Sequence, residues 1–151
     1  MKRILIYAVT LAAALAIPRE GTDVGKLKPV EAVRLRKENG AIIIETDTGD
    51  SGIGRTTAAA FENLEATTSG VVFLDTADYL LIEKLGQAET SELAVYLKPS
   101  VRICNSQAGI DLAEAAEYLT AHHPGTKLKD YTGVNELESL ENENGRLILR
   151  K

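Results

Sequence analysis

The residues best spaced for chemistry are Gly49-Asp50-Ser51-Gly52-Ile53-Gly54-Arg55-Thr56. Their glycine spacing, followed by a basic residue and a threonine, is that of a phosphate-binding P-loop. Val71-Val72-Phe73-Leu74-Asp75 follows like the strand that ends in a magnesium-binding aspartate. The chemistry asks for more than spacing. A P-loop uses a lysine to reach the β and γ phosphates, whereas Arg55 stands in that place and Asp50 puts an anion beside an anionic ligand. The strand ahead of the loop reads as half of a hairpin, while a P-loop follows a buried parallel strand. The preferred reading is a solvent loop leading into a helix cap, with a P-loop-like nucleotide-binding protein using Gly49–Thr56 as the alternative.

The other reactive residue types do not assemble into a site. Asp47, Asp50, Asp75 and Asp78 could offer oxygen ligands to a hard cation, but no Asp-x-Asp-x-Asp-Gly run occurs, so they read as hydrated turn aspartates and no metal is expected. His122-His123 falls at a helix end, where carbonyl dipoles favour a cation; adjacent histidines point apart and would need further ligands. Cys104 lies in an apolar strand and reads as a small buried hydrophobe with no base beside it. Ser51 is not within Gly-x-Ser-x-Gly. No catalytic set, cofactor or enzyme activity is expected.

The elements that must carry these residues follow from periodicity. Val30, Ala32, Val33 and Leu35 interleave with Glu31, Arg34 and Arg36 at nearly the period of a half-buried strand; Asn39-Gly40 supplies a type I′ turn, and Ala41-Ile42-Ile43-Ile44 returns. Asp47 to Gly54 reads as a loop. Thr56 or Thr57 caps a helix carrying Ala59, Ala60, Phe61 and Leu64 until Gly70. Val71-Val72-Phe73-Leu74 and Tyr79-Leu80-Leu81-Ile82 are apolar runs with Thr76-Ala77-Asp78 turning between them or bending one long strand. From Thr90, the pattern Leu93, Val95, Tyr96, Leu97 predicts a short helix ended by Pro99. Val101, Ile103 and Cys104 form a further strand, Asp111 caps a helix closed by Pro124-Gly125, and Asn144-Gly145 precedes a last strand or hairpin. These elements predict an α/β fold of the α+β type: a mixed β-sheet with an N-terminal antiparallel hairpin, covered by about three helices.

Length and composition bound the rest. A chain of 151 residues with 44% hydrophobic and 26% charged side chains has room for one core and is too balanced for disorder, collagen, a coiled coil or a multi-span membrane protein. A net charge of −5 supplies no global positive field for a nucleic-acid backbone, so nucleic acid is not an expected partner. One cysteine cannot close an internal disulfide. Lys2-Arg3 precede an apolar run of 14 residues from Ile4 to Ile17, and Ala14-Leu15-Ala16 offers the small-x-small pattern of signal cleavage. The expected organisation is a signal peptide over 1–16, a linker over 17–28, a mixed α/β domain over 29–130 and a C-terminal tail over 131–151 with a possible last strand. Cleavage after Ala16 would leave 15 basic and 22 acidic residues, so membrane contact is expected only through an uncleaved signal segment.

Gly52-Ile53-Gly54-Arg55-Thr56 followed by an alanine-rich helix to Asn63-Leu64, then Val72-Phe73-Leu74, Tyr79-Leu80-Leu81-Ile82, Leu93 to Leu97 and Val101-Arg102-Ile103, resembles the N-terminal domain of the Ger(x)C family, which supplies the C subunit of spore nutrient germinant receptors. The resemblance covers approximately Pro29 to Gly125. It implies an extracytoplasmic, non-enzymatic mixed α/β domain working at the outer face of a membrane within a receptor assembly. The family's lipobox cysteine is replaced here by Ala16-Ile17, and Thr76 stands where its common histidine falls. The expectation is an exported, non-catalytic interaction module with protein partners at the membrane surface. An extracytoplasmic small-ligand-binding domain is the further alternative. The candidate partner-binding residues are Asp50, Gly52, Gly54 and Arg55 from the loop and Thr76 and Asp78 from the turn, and alanine at Gly52 and Gly54 is expected to leave the fold intact.

Overall fold

Two Asn-Gly dipeptides set the strand pairing at either side of the molecule. Asn39 and Gly40 adopt φ of 51° and 79°, Asn144 and Gly145 φ of 54° and 80°, the left-handed pair that a two-residue type I′ hairpin requires. The computed structural model describes residues 24–85, 92–133 and 136–151. The first hairpin joins β2 (Ala32–Glu38) to β3 (Ala41–Thr46) in a register from Val33↔Thr46 to Glu38↔Ala41. The second joins β8 (Ser139–Glu143) to β9 (Arg146–Arg150). Between them lie β6 (Tyr79–Glu83) and β7 (Arg102–Ser106), and β4 (Ser51–Gly54) closes one edge. The result is a mixed seven-stranded sheet in the order β4-β3-β2-β6-β7-β8-β9, whose inner strands β2, β6, β7 and β8 run parallel.

Because side chains alternate along a strand, the sheet has two apolar faces. Val33, Leu35, Ile42, Ile44, Leu80, Ile82 and Ile103 pack with Ala60, Phe61 and Leu64 of α1 (Thr57–Thr67). Ala32, Tyr79, Leu81 and Cys104 pack with Leu112, Ala115, Ala116 and Leu119 of α2 (Leu112–Ala121). Each helix therefore covers a different set of alternating strand residues. The fold is α+β with a mixed sheet.

Three finer expectations need correction. The described residues contain two α-helices rather than about three: between Glu92 and Pro99 the chain makes a 3-10 turn, Glu92–Val95, which buries Leu93 and is followed by buried Leu97. With proline so near, the apolar pair at i, i+4 is satisfied by one tight turn. Second, the hairpin is not the first element, because β1 (Leu27–Pro29) precedes it and pairs in parallel with β5 (Val71–Phe73) as a separate two-stranded ribbon. Third, the segment set apart at 131–151 supplies β8 and β9 to the main sheet, with Leu140 fully buried and Leu147 nearly so. The expected signal segment 1–16, the expected linker up to residue 23 and the expected helix start at Thr90 lie outside the described residues.

Candidate functional site

The segment read as a loop is strand β4, and its glycines face a helix. Gly52 pairs with Ile44 and Gly54 with Ile42, while α1 lies directly across both. A Cβ on Gly52 would come closer than 3.0 Å to the carbonyl oxygen of Ala60 and the nitrogen of Leu64. One on Gly54 would meet Ala60 N and the Ala59 side chain equally closely. These glycines are packing positions that let a helix and a strand touch backbone to backbone, which corrects the expectation that alanine there would leave the fold intact.

The same helix closes the edge of the strand. Asn63 accepts from Ile53 N–H at 2.9 Å, and Thr67, one turn further on, donates to the Ser51 carbonyl at 3.2 Å. Edge groups that would otherwise be free to pair with another chain are thereby occupied. No phosphate cradle is formed here either. Gly49 N–H donates to Thr46 O at 3.0 Å, Asp50 N–H to Thr46 Oγ1 at 3.2 Å and Ile53 N–H to Asn63, so the donors a P-loop aims at its ligand are spent within the chain.

Three of the six candidate residues come together at one end of the sheet. The Val30-Glu31 link is the hub. Glu31 N–H donates to the Asp47 carboxylate at 3.1 Å, while the Glu31 carbonyl accepts from Asp78 N–H at 2.9 Å. Thr76 Oγ1 accepts from Val30 N–H at 2.9 Å and donates to a neighbouring carbonyl. Lys28 of β1 bonds Asp50 at 3.0 Å, and Lys98 bonds Asp78 at 2.7 Å. Burial alone would raise the Asp50 carboxyl, but hydrogen bonds from Lys28 and Thr48, the Lys28 charge and a bond from Thr68 outweigh it and hold the pKa below the ordinary value. Gly52 and Gly54 lead away along β4. Arg55 ends up past the strand, at the start of α1 and near the β2–β3 turn.

Beside this end lies a surface that periodicity did not reveal. In the ribbon, Leu27 stands opposite Val71 and Pro29 opposite Phe73, so these four share one face, while Val72 turns toward the core. Val71 and Phe73 are 45% and 38% exposed. The sequence shows only an apolar run there, and three residues are too few to declare an alternation.

The other reactive residues are committed elsewhere. Cys104 is fully buried, and desolvation, with the Glu138 charge adding to it, pushes its thiol up to about 12, far from a thiolate at neutral pH. His123 Nδ1 is 2.9 Å from Tyr79 Oη, and His122 stacks on Tyr118. Asp75 is exposed, and among the described residues no three His, Cys, Asp or Glu side chains converge on a metal-sized site. No helix of the described residues is long and apolar enough to cross a membrane. No protein-family model, curated protein or solved structure matches the chain.

Proposed function

We propose that this chain is an exported, non-catalytic interaction module that works at the outer face of a bacterial membrane, akin to the first domain of the Ger(x)C family, and that it binds a protein partner through the β1–β5 ribbon. The observation that carries the reading is the outer face of that ribbon: Leu27, Pro29, Val71 and Phe73 form an apolar centre, and the ion pairs Lys28–Asp50 and Lys98–Asp78 lie at the same end of the sheet. An apolar centre with a polar rim is the ordinary anatomy of a protein–protein contact. The position of the ribbon supports a membrane-proximal partner, because β1 follows within about ten residues of the apolar run Ile4 to Ile17. Asp50, Thr76 and Asp78 then act as rim and scaffold for the patch, and Gly52 and Gly54 as packing beneath it.

Fractionation of the native host, with intact mass recorded in each fraction, tests the setting. A species beginning at Ile17 outside the cytoplasm, or a full-length species held in the membrane fraction, is the expected result. A full-length chain confined to the cytoplasm ends the proposal. The surface is tested by Phe73→Asp, which should release the chain from any larger membrane-extracted assembly without changing its circular dichroism. Unchanged assembly size would remove the ribbon from consideration.

A further inference from the structure

The start of α1 carries a feature that the interaction reading does not use. A cavity of about 190 Å³ opens between this helix end and the β2–β3 turn, and Lys37, Arg55, Thr57 and Glu92 are among its lining residues. Thr57 is fully buried, and its hydroxyl has no hydrogen-bond partner among the described residues. Leaving a buried hydroxyl unpaired costs roughly 1–3 kcal/mol, so a core-facing position would favour valine unless something supplies the missing bond. The helix end has unspent donors as well. Thr56 satisfies the N–H groups of Ala59 and Ala60, whereas those of Thr57 and Ala58, in the first turn, have no intrahelical acceptor. No acidic residue stands in that first turn, and exposed Arg55 has no ion-pair partner among the described residues.

We infer that the N-terminus of α1 binds a small oxyanion of phosphate size, held by the Thr57 hydroxyl, the N–H groups of Thr57 and Ala58, and the charges of Arg55 and Lys37. Each contribution is matched to a compact anion: two backbone donors along a helix dipole, one hydroxyl lacking a bond, and cations at the mouth. Glu92 in the lining limits how much negative charge the cavity accepts, so a single anionic group fits better than a polyphosphate. The site differs from a P-loop, because the glycines before it are buried in strand pairing and the anion meets only the helix end. The inference stands independently of the ribbon and of the compartment.

Titration of the full chain with inorganic phosphate at constant ionic strength, followed by amide NMR shifts, tests it. Saturable shifts should centre on Thr57 and Ala58, and apparent affinity should fall roughly tenfold in Thr57→Val and in Arg55→Gln, the loss expected for one hydrogen bond to a charged group. Arg55 is exposed, so Arg55→Gln keeps the test alive should Thr57→Val fold poorly. Phosphate stabilises most proteins by exclusion from their surfaces, so a general rise in melting temperature shared by both variants does not count as binding. Equal shifts in wild type and variants, or shifts without saturation, overturn the site. A parallel titration with glycerol phosphate distinguishes sources: tighter binding than inorganic phosphate assigns the group to a larger metabolite, and equal binding assigns it to the free ion.

Discussion

The two helices lie against alternate faces of one sheet and meet it in opposite ways. α2 packs through side chains, with Leu112, Ala115, Ala116 and Leu119 set among Ala32, Leu81 and Cys104. α1 meets bare backbone at Gly52 and Gly54 and uses Asn63 and Thr67 to seal the strand it rests on. Their beginnings differ too. α2 carries its own anions, Asp111 as N-cap at 2.9 Å from Glu114 N and Glu114 in the first turn, while α1 is capped by neutral Thr56 and has none. A helix on side chains tolerates adjustment, because rotamers can shift. A helix on backbone has no such slack, and its position is fixed to within the radius of a hydrogen atom.

The largest effect that would break this comparison is the pair Gly52→Ala with Gly54→Ala. Neither added Cβ can be accommodated by a rotamer change at its backbone neighbours, and two overpacked sites at about 3 kcal/mol each would consume much of the roughly 5–15 kcal/mol that holds a domain together. Chemical denaturation should show a chain that is unfolded or close to it in water; a midpoint near wild type would mean that α1 can lift off the strand. On the other helix, Leu119→Ala should cost about 3 kcal/mol by leaving a cavity, with the fold retained and the denaturant slope unchanged. A loss comparable to the glycine pair would show that α2 is no more forgiving than α1.

Smaller, and specific to the α1 side, is the seal on β4. Asn63→Ala and Thr67→Val should each cost about 1 kcal/mol and together expose one edge of the sheet. The distinguishing readout is association: sedimentation should reveal concentration-dependent oligomers in the double variant. The opposite edge, β9, is protected differently, with Arg150 paired to Glu141 and Glu143. A monomeric double variant would show that Asn63 and Thr67 contribute stability and no protection.

What was legible in the sequence divides along the same line. The hairpins could be read because Asn-Gly admits few alternatives, and α2 because an aspartate cap, apolar spacing and a terminal proline agree over its whole length. Helix α1 was equally visible, with its cap at Thr56, although it ends at Thr67 and leaves Gly70 to admit the close approach of the Lys26 carbonyl. β4 was not legible. Ser-Gly-Ile-Gly has almost no strand propensity, and it is a strand because α1 covers it, a tertiary effect that no local window contains. The ribbon failed for the related reason that β1 and β5 have three residues each. The candidate residues followed suit: Asp50, Thr76 and Asp78 meet because turn aspartates and threonines bond nearby backbone, whereas Gly52 and Gly54 looked like loop glycines and are packing glycines.

Asp50 offers a weaker test on the α1 side, since it ties β4 to the ribbon through Lys28. Its folded pKa lies below the ordinary 3.8, so the stability it contributes is present above that value and is lost as pH falls through the lower folded pKa. Asp50→Asn should therefore cost at most about 1 kcal/mol at neutral pH, and the gap between variant and wild type should shrink as pH drops below about 4. Urea midpoints at pH 7 and pH 3 measure both. A gap that persists at pH 3 would mean that Asp50 acts through the geometry of its turn and not through charge.

The finest test is an exchange of caps. If α2 is completed by its own carboxylate and α1 is left for an outside anion, Asp111→Asn should weaken the protein by about 0.5 kcal/mol, because the side chain still caps while the charge is lost. Thr56→Asp should do the reverse, adding about 0.5 kcal/mol by placing an anion at an uncompensated helix end near Arg55 and Lys37. The two substitutions should also differ in salt, since Asp111→Asn removes a screened attraction and Thr56→Asp creates one. Most telling is the combination with phosphate: the built-in carboxylate of Thr56→Asp should weaken phosphate binding at α1, while Asp111→Asn should leave it unchanged. Stabilisation by Thr56→Asp with undiminished phosphate binding would separate the dipole from the site and place the anion elsewhere.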